Sequence, residues 1–211
     1  MPDLEKLHEA VIEGDWKTAA ELTRAAIAAG VAPLTIVTGC LVPAMDEVGR
    51  RFDCEEFFVP EMLISSRAMK ASMEIIRPLL AATGAEPAGR VVIGTVKGDL
   101  HDIGKNLVAS MLEGGGFEVI DLGTDVAPER FIEVAVARNA NLVALSALLT
   151  VTMPSMKTTI DAFQSAGLRG KVKIMIGGAP VTQQWADEIG ADGYGDSAGT
   201  AMALARKLVA A

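Results

Sequence analysis

Aromatic side chains are scarce in this chain, 4% of 211 residues, so the stacked surfaces that grip single-stranded nucleic acid have little to be built from. Basic residues are in the minority, 19 against 27 acidic ones, and the formal charge of -8 repels both a duplex and an anionic membrane on average. There are only two cysteines, Cys40 in an apolar helical stretch and Cys54 in a turn after it. Without a repeated or CxxC spacing they make neither a disulfide framework nor a cysteine zinc site. Met1-Pro2-Asp3-Leu4-Glu5-Lys6 lacks the basic start and apolar run of a signal peptide, and no stretch reaches the ~18 apolar residues of a membrane span. The expectation is a cytoplasmic globular protein with no nucleic-acid or membrane partner.

What the chain does have is aliphatic content: hydrophobic residues make up 50% of it, ample for a core. Up to about Leu80 they recur at three- and four-residue intervals, as in Leu4, Leu7 and Val11, then Ala19, Leu22 and Ala26, which predicts helices. Gly14-Asp15 ends the first helix and caps the second, Gly30 closes the second, and Pro33 opens a third that runs to about Arg50. A fourth starts near Pro60 and continues toward Leu79, and four helices with short connections predict a bundle. The turn before the fourth helix is apolar for a loop, with Phe52, Phe57, Phe58 and Val59, and Met62 one turn on. Two readings are open for it, a loop folded over the bundle's own core or a lid over something in a second domain.

Pro78 and the small, Gly/Pro-rich residues 81–89 predict a break and a linker, dividing the chain into domains 1–87 and 88–211. Beyond it, short β-branched runs alternate with helices. Strands are expected at residues 91–96, 117–122, 142–146 and 172–176, with a weak fifth at 192–194. Helices are expected at 101–112, 128–138, 154–166, 181–189 and 198–208. The spacing predicts an α/β domain with a doubly wound, flavodoxin-like parallel sheet of five strands.

In such a sheet, ligands bind at the carboxyl ends of the strands. The loops gathered there are Asp99-Leu100-His101-Asp102-Ile103-Gly104, Ser146 to Thr152, and Gly177-Gly178. Gly104-Lys105-Asn106 lacks the spacing of a phosphate loop, and large residues separate Gly98 from Gly104 where a dinucleotide fingerprint needs close backbone approach. One histidine is too few for zinc, and the Ser146 loop has no nucleophile elbow. A single imidazole does suit a metal already ligated by a macrocycle, with Asp99 orienting the ring from its other nitrogen. Taken alone, Asp99 and His101 also fit a structural or helix-capping pair.

Asp99-x-His101-x-x-Gly104, then Ser146-x-Leu148 about forty residues on, then Gly177-Gly178, resembles the motif of the cobalamin-binding domain of methionine synthase and its relatives. The N-terminal helices and the segment from Val48-Gly49-Arg50-Arg51-Phe52 to Phe58-Val59-Pro60 resemble their helical cap, so the resemblance covers nearly the whole chain. The same two-domain build characterises the corrinoid proteins of methanogens and acetogens.

The resemblance implies a Rossmann-like fold and a cobalamin cofactor held "base-off, His-on", with His101 as lower axial ligand to cobalt. Asp99, Asp102, Ile103 and Gly104 would belong to the ligand loop, and Thr152 would continue the relay from His101 and Asp99 to solvent. The nucleotide tail would pass Ser146, Leu148 and Thr150, with Gly177 and Gly178 leaving room for it and residues 191–194 closing the far end. Phe52, Val59 and Met62 would cover cobalt's upper face as a mobile lid. The implied function is a corrinoid carrier alternating between Co(I) and methyl-Co(III), taking a methyl group from a substrate-specific methyltransferase. A second methyltransferase, acting on tetrahydrofolate or a thiol, would receive it, and a reductive activator is a further implied partner. The other implied function is a cobalamin-dependent sensor or regulatory module.

Overall fold

The computed structural model describes residues 3–83 and 87–210, which divide into two compact units. One holds the described residues up to Pro87 together with Glu113–Gly116; the other holds Ala88–Leu112 and the described residues from Phe117 onward.

The first unit is helical. α1 (Leu4–Ile12) and α2 (Trp16–Ala28) each start on an aspartate, Asp3 and Asp15, whose carboxylate accepts a backbone N–H of the first turn at 3.1 Å. This satisfies donors that a helix start otherwise leaves orphaned. The third predicted helix is α3 (Pro33–Ile36) and α4 (Val42–Asp53), joined by a π-helical segment, Val37–Leu41, in which the Val42 N–H reaches back to the Val37 carbonyl. Pro43 stands just beyond it, and the wider turn accommodates a residue that has no N–H and whose ring crowds the carbonyl four residues back.

α5 (Val59–Thr83) runs through Pro78, where the sequence predicts a break. Pro78 and Glu74 are both solvent-exposed, so water can satisfy the carbonyl that loses its partner, and upstream packing carries the helix on. That packing includes buried Thr23–Ser72 and Ser65–Ile12 hydrogen bonds to α2 and α1. The linker expectation for residues 81–89 falls partly on 84–86, which lie outside the described residues.

The second unit contains β1 (Arg90–Thr95), α6 (Ile103–Gly114), β2 (Glu118–Asp121), α7 (Pro128–Ala137), β3 (Leu142–Ser146), α8 (Pro154–Ser165), β4 (Lys173–Gly177), α9 (Gln183–Ile189), β5 (Gly193–Gly195) and α10 (Ala198–Ala210). The five strands are parallel in the order β2-β1-β3-β4-β5. Each predicted strand is present within a residue or two.

The apolar runs of β1, β3 and β4 are buried on both faces, as a parallel sheet covered by helices requires. On one face Val92, Val143, Leu145, Ile174 and Ile176 share a core with Phe131, Met156, Ile160 and Phe163 of α7 and α8. On the other, Val91, Ile93, Leu142, Ala144 and Met175 share one with Leu112, Ala201 and Ala205. The alternation along each strand sets the register, and the register aligns Thr95, Ser146, Gly177 and Gly195 as one row near the carboxyl edge.

Candidate functional site

The loop between β1 and α6 holds a buried carboxylate beneath a largely buried imidazole: the side chains of Asp99 and His101 are 2% and 14% exposed. Asp99 Oδ1 lies 2.7 Å from His101 Nδ1 and also accepts the His101 backbone N–H at 3.3 Å. Asp99 Oδ2 accepts the Leu148 N–H at 2.8 Å, the Leu149 N–H at 3.4 Å and the Thr152 hydroxyl at 2.6 Å. Burial alone pushes this carboxyl up. The hydrogen bonds from Thr152, the His101 ring and the Leu148 and His101 amides outweigh it, holding Asp99 well below the usual carboxylate range.

An ionised carboxylate only accepts, so the proton of a neutral His101 ring sits on Nδ1 and leaves the lone pair on Nε2. Nε2 in turn lies 2.9 Å from the Ser146 hydroxyl, which can donate to that lone pair. Ser146, expected along a slot, is therefore a direct neighbour of the histidine. The spacing Asp99-x-His101 pointed to the carboxylate; the Ser146 contact depends on strand register, with Thr95 and Ser146 side by side.

The two loops that carry this polar centre also expose large aliphatic side chains. Leu100, Ile103 and Val151 are 77%, 75% and 80% exposed, and Leu148 and Leu149 are exposed beside them in sequence. The sequence reading included Ile103 and Leu148 but missed Leu100, Leu149 and Val151, whose signal is large aliphatic residues in the loops that directly follow two strands. Asp102, Gly104 and Thr150 are exposed, whereas Thr152 is buried against Asp99. A Cβ at Gly104 would meet nothing within 4 Å.

Gly177 and Gly178 are required by the protein's own backbone. A Cβ at Gly178, whose φ is +129°, would stand 1.9 Å from the Ala147 carbonyl oxygen, and one at Gly177 would stand 2.9 Å from that of Gly195. Asp192 is held near the start of β4, its Oδ2 accepting the Ile174 N–H at 2.7 Å and pairing with Arg169 at 2.6 Å.

In the helical unit, Phe52 is half-buried, Val59 exposed and Met62 buried. The turn between α4 and α5 is ordered by its own contacts. The Arg51 carbonyl accepts the Glu56 and Phe57 amides, the Arg51 guanidinium lies 5.1 Å from the Phe57 ring centroid, and Glu61 accepts the Phe58 N–H at 2.9 Å. Arg50 and Arg51 both hydrogen-bond Glu47, holding its carboxyl down at about 2.

Among the described residues no cluster of three or more histidine, cysteine or acidic side chains could hold a bare metal ion. The donor set is one imidazole nitrogen, pre-oriented from behind and rimmed by aliphatic side chains. That fits a metal whose equatorial ligands come with it, in a large apolar ring. Burying one of the most exposed of these side chains, Leu100, Ile103 or Val151, would be worth about 2 kcal/mol. Fold and site together fit a protein class that holds a macrocyclic metal cofactor, built from a flavodoxin-like sheet and a helical unit.

Two models of the B12 binding domain match the chain, one over residues 3–77 and one over residues 89–203. Trimethylamine corrinoid protein 1 of Methanosarcina mazei is 44% identical over 195 residues, covering 92% of this chain and 90% of that protein. A solved cobalamin-binding protein from Desulfitobacterium hafniense superposes with a TM-score of 0.82 at 32% identity, covering 99% of each chain. A chain of the methanol:cobalamin methyltransferase complex of Methanosarcina barkeri gives a TM-score of 0.84 at 31% identity, over 97% of this chain and 78% of that one. The chain belongs to the family of B12-binding corrinoid proteins, and its cofactor is a corrinoid.

Proposed function

We propose that the chain is a methyl carrier that binds its corrinoid with the cofactor's own base displaced and His101 Nε2 in its place. A bound corrinoid supplies the cobalt centre that accepts and gives up the methyl group. The observation that carries this reading is the Asp99 carboxylate on His101 Nδ1, which leaves Nε2 as the ring's lone-pair nitrogen. Exchange of Ser146 for a metal as the partner of Nε2 costs the ring no change of tautomer.

Asp99 holds the Nδ1 proton across 2.7 Å and fixes the orientation of the ring. Thr152 and the Leu148 amide keep that carboxylate ionised and fixed. The exposed Leu100, Ile103, Leu148, Leu149 and Val151 are the aliphatic side chains of the loops after β1 and β3 that would meet the cofactor and keep water from it. A lid role for Phe52, Val59 and Met62 rests on the family resemblance.

The partners in this reading are a substrate-specific methyltransferase and a second one acting on an acceptor such as tetrahydrofolate or a thiol, with a reductive activator. Similarity to a trimethylamine corrinoid protein and to a chain of a methanol:cobalamin methyltransferase complex supports the first of these. The test is His101→Ala in the corrinoid-loaded full chain. The visible spectrum should change and methyl transfer should fall by at least about tenfold; an unchanged spectrum with unchanged transfer rejects His101 as the ligand.

A further inference from the structure

The His101 loop is gripped from a second loop, the one that follows β2, and the grip centres on one residue. Asp125 has a φ of +54°, in the left-handed region, where aspartate is among the few side chains commonly found. In that conformation its carboxylate Oδ1 accepts the Gly98 N–H at 2.7 Å, and its own N–H donates to the Asp99 carbonyl at 2.9 Å. Gly98 itself has a φ of +86°. Asp125 thus brackets the two-residue segment Gly98–Asp99, accepting the N–H that enters it with its side chain and donating its own N–H to the carbonyl that leaves it.

Asp125 is fixed in turn. The Thr95 N–H donates to Gly123, the Val126 N–H to Thr95, and the Leu122 N–H to Ile93, so the segment lies bonded along the end of β1 on both sides of Asp125. Its carboxylate is solvent-exposed. An exposed hydrogen bond adds little net stability, and the left-handed backbone subtracts from it. What the arrangement yields is geometry, because Gly98 immediately precedes the carboxylate that orients the His101 ring.

We propose that Asp125 is a positioning residue for the axial-ligand histidine, acting through Gly98 and Asp99 to set the Asp99–His101 hydrogen bond. This rests on the reading of His101 as the cobalt ligand, but the coupling can be measured without cobalt. Three variants separate its parts. Asp125→Asn keeps both an acceptor and tolerance of the left-handed region, Asp125→Gly keeps the backbone freedom without the acceptor, and Asp125→Ala loses both.

The experiment is proton and nitrogen NMR of the His101 ring in the full chain without corrinoid, together with thermal unfolding and titration with hydroxocobalamin. In Asp125→Gly the Nδ1–H resonance should exchange at least about tenfold faster and hydroxocobalamin affinity should fall about tenfold, with Tm no lower than native. Asp125→Asn should stay within about threefold of native in both, while Asp125→Ala behaves as Asp125→Gly with a lower Tm. A native Nδ1–H resonance in Asp125→Gly overturns the proposal, and so does equal loss in Asp125→Gly and Asp125→Asn. Either result leaves His101 ligation untouched, since the spectrum of His101→Ala decides that.

Discussion

The two edges of the sheet solve the same electrostatic problem in different ways. At the carboxyl edge the Asp99 carboxylate is buried and bonded to an imidazole, a hydroxyl and backbone amides, with no fixed cation among its partners. At the amino edge, Asp192 pairs with Arg169 at 2.6 Å, and Arg90 and Arg138 bind Glu118 at 3.1 and 3.0 Å. A guanidinium only donates, so the amino-edge pairs offer no lone pair to a further ligand. A neutral imidazole bonded through Nδ1 still offers the lone pair of Nε2, so the carboxyl-edge pair can take one. Polar satisfaction alone therefore does not distinguish a site from a staple; the partner's chemistry does.

The strongest way to break this contrast is Gly178→Ala. A Cβ there would collide with the Ala147 carbonyl at 1.9 Å, so we expect a loss above about 4 kcal/mol, read as failure to fold or a collapsed Tm. A stable variant would mean that the carboxyl edge has slack the backbone contacts do not suggest.

Next come two matched substitutions, one at each edge. Asp192→Asn should lower the unfolding free energy by about 2 kcal/mol in denaturant titration while leaving hydroxocobalamin affinity unchanged. Asp99→Asn should do the converse in emphasis, lowering corrinoid affinity about 10- to 100-fold. Equal effects of the two on binding would erase the distinction drawn here.

The smallest effect concerns acid. The native pKa of Asp99 is depressed, so its stabilising contribution is complete above the unfolded value near 3.9 and is lost as pH falls toward the native one. The stability difference between native and Asp99→Asn chains should therefore shrink as pH falls below about 4. A difference that persists unchanged down to about pH 2 would mean that the Asp99 carboxylate is not its source.

Much of this was legible in the sequence because it is local. The Asp15 cap of α2 and the strand runs depend on neighbours within one turn or one pleat. The motif spacing led to Asp99 and His101 and the family resemblance added Thr152, and the fold brings the three together. The break expected at Pro78 is absent because its solvent-facing side tolerates a carbonyl bonded to water, and at Gly177 and Gly178 the tertiary structure adds a demand of its own, the close approach of the Gly195 and Ala147 carbonyl oxygens. The Asp125 grip was invisible, since an aspartate in a loop carries no sign of which distant amide it will accept.

The stretch from Asp99 to Gly104 took its chemical types from the sequence alone: one imidazole, one carboxylate two residues before it, and aliphatic neighbours. Hydrophobic alternation likewise determined that a parallel sheet would carry it at a strand's carboxyl end. Only the tertiary structure decided which nitrogen of His101 keeps the lone pair, because that depends on Asp99, Ser146 and Thr152 meeting across β1, β3 and their loops. Hydrogen bonds act over about 3 Å, and partners some fifty residues apart come within that range only when strand register places them there.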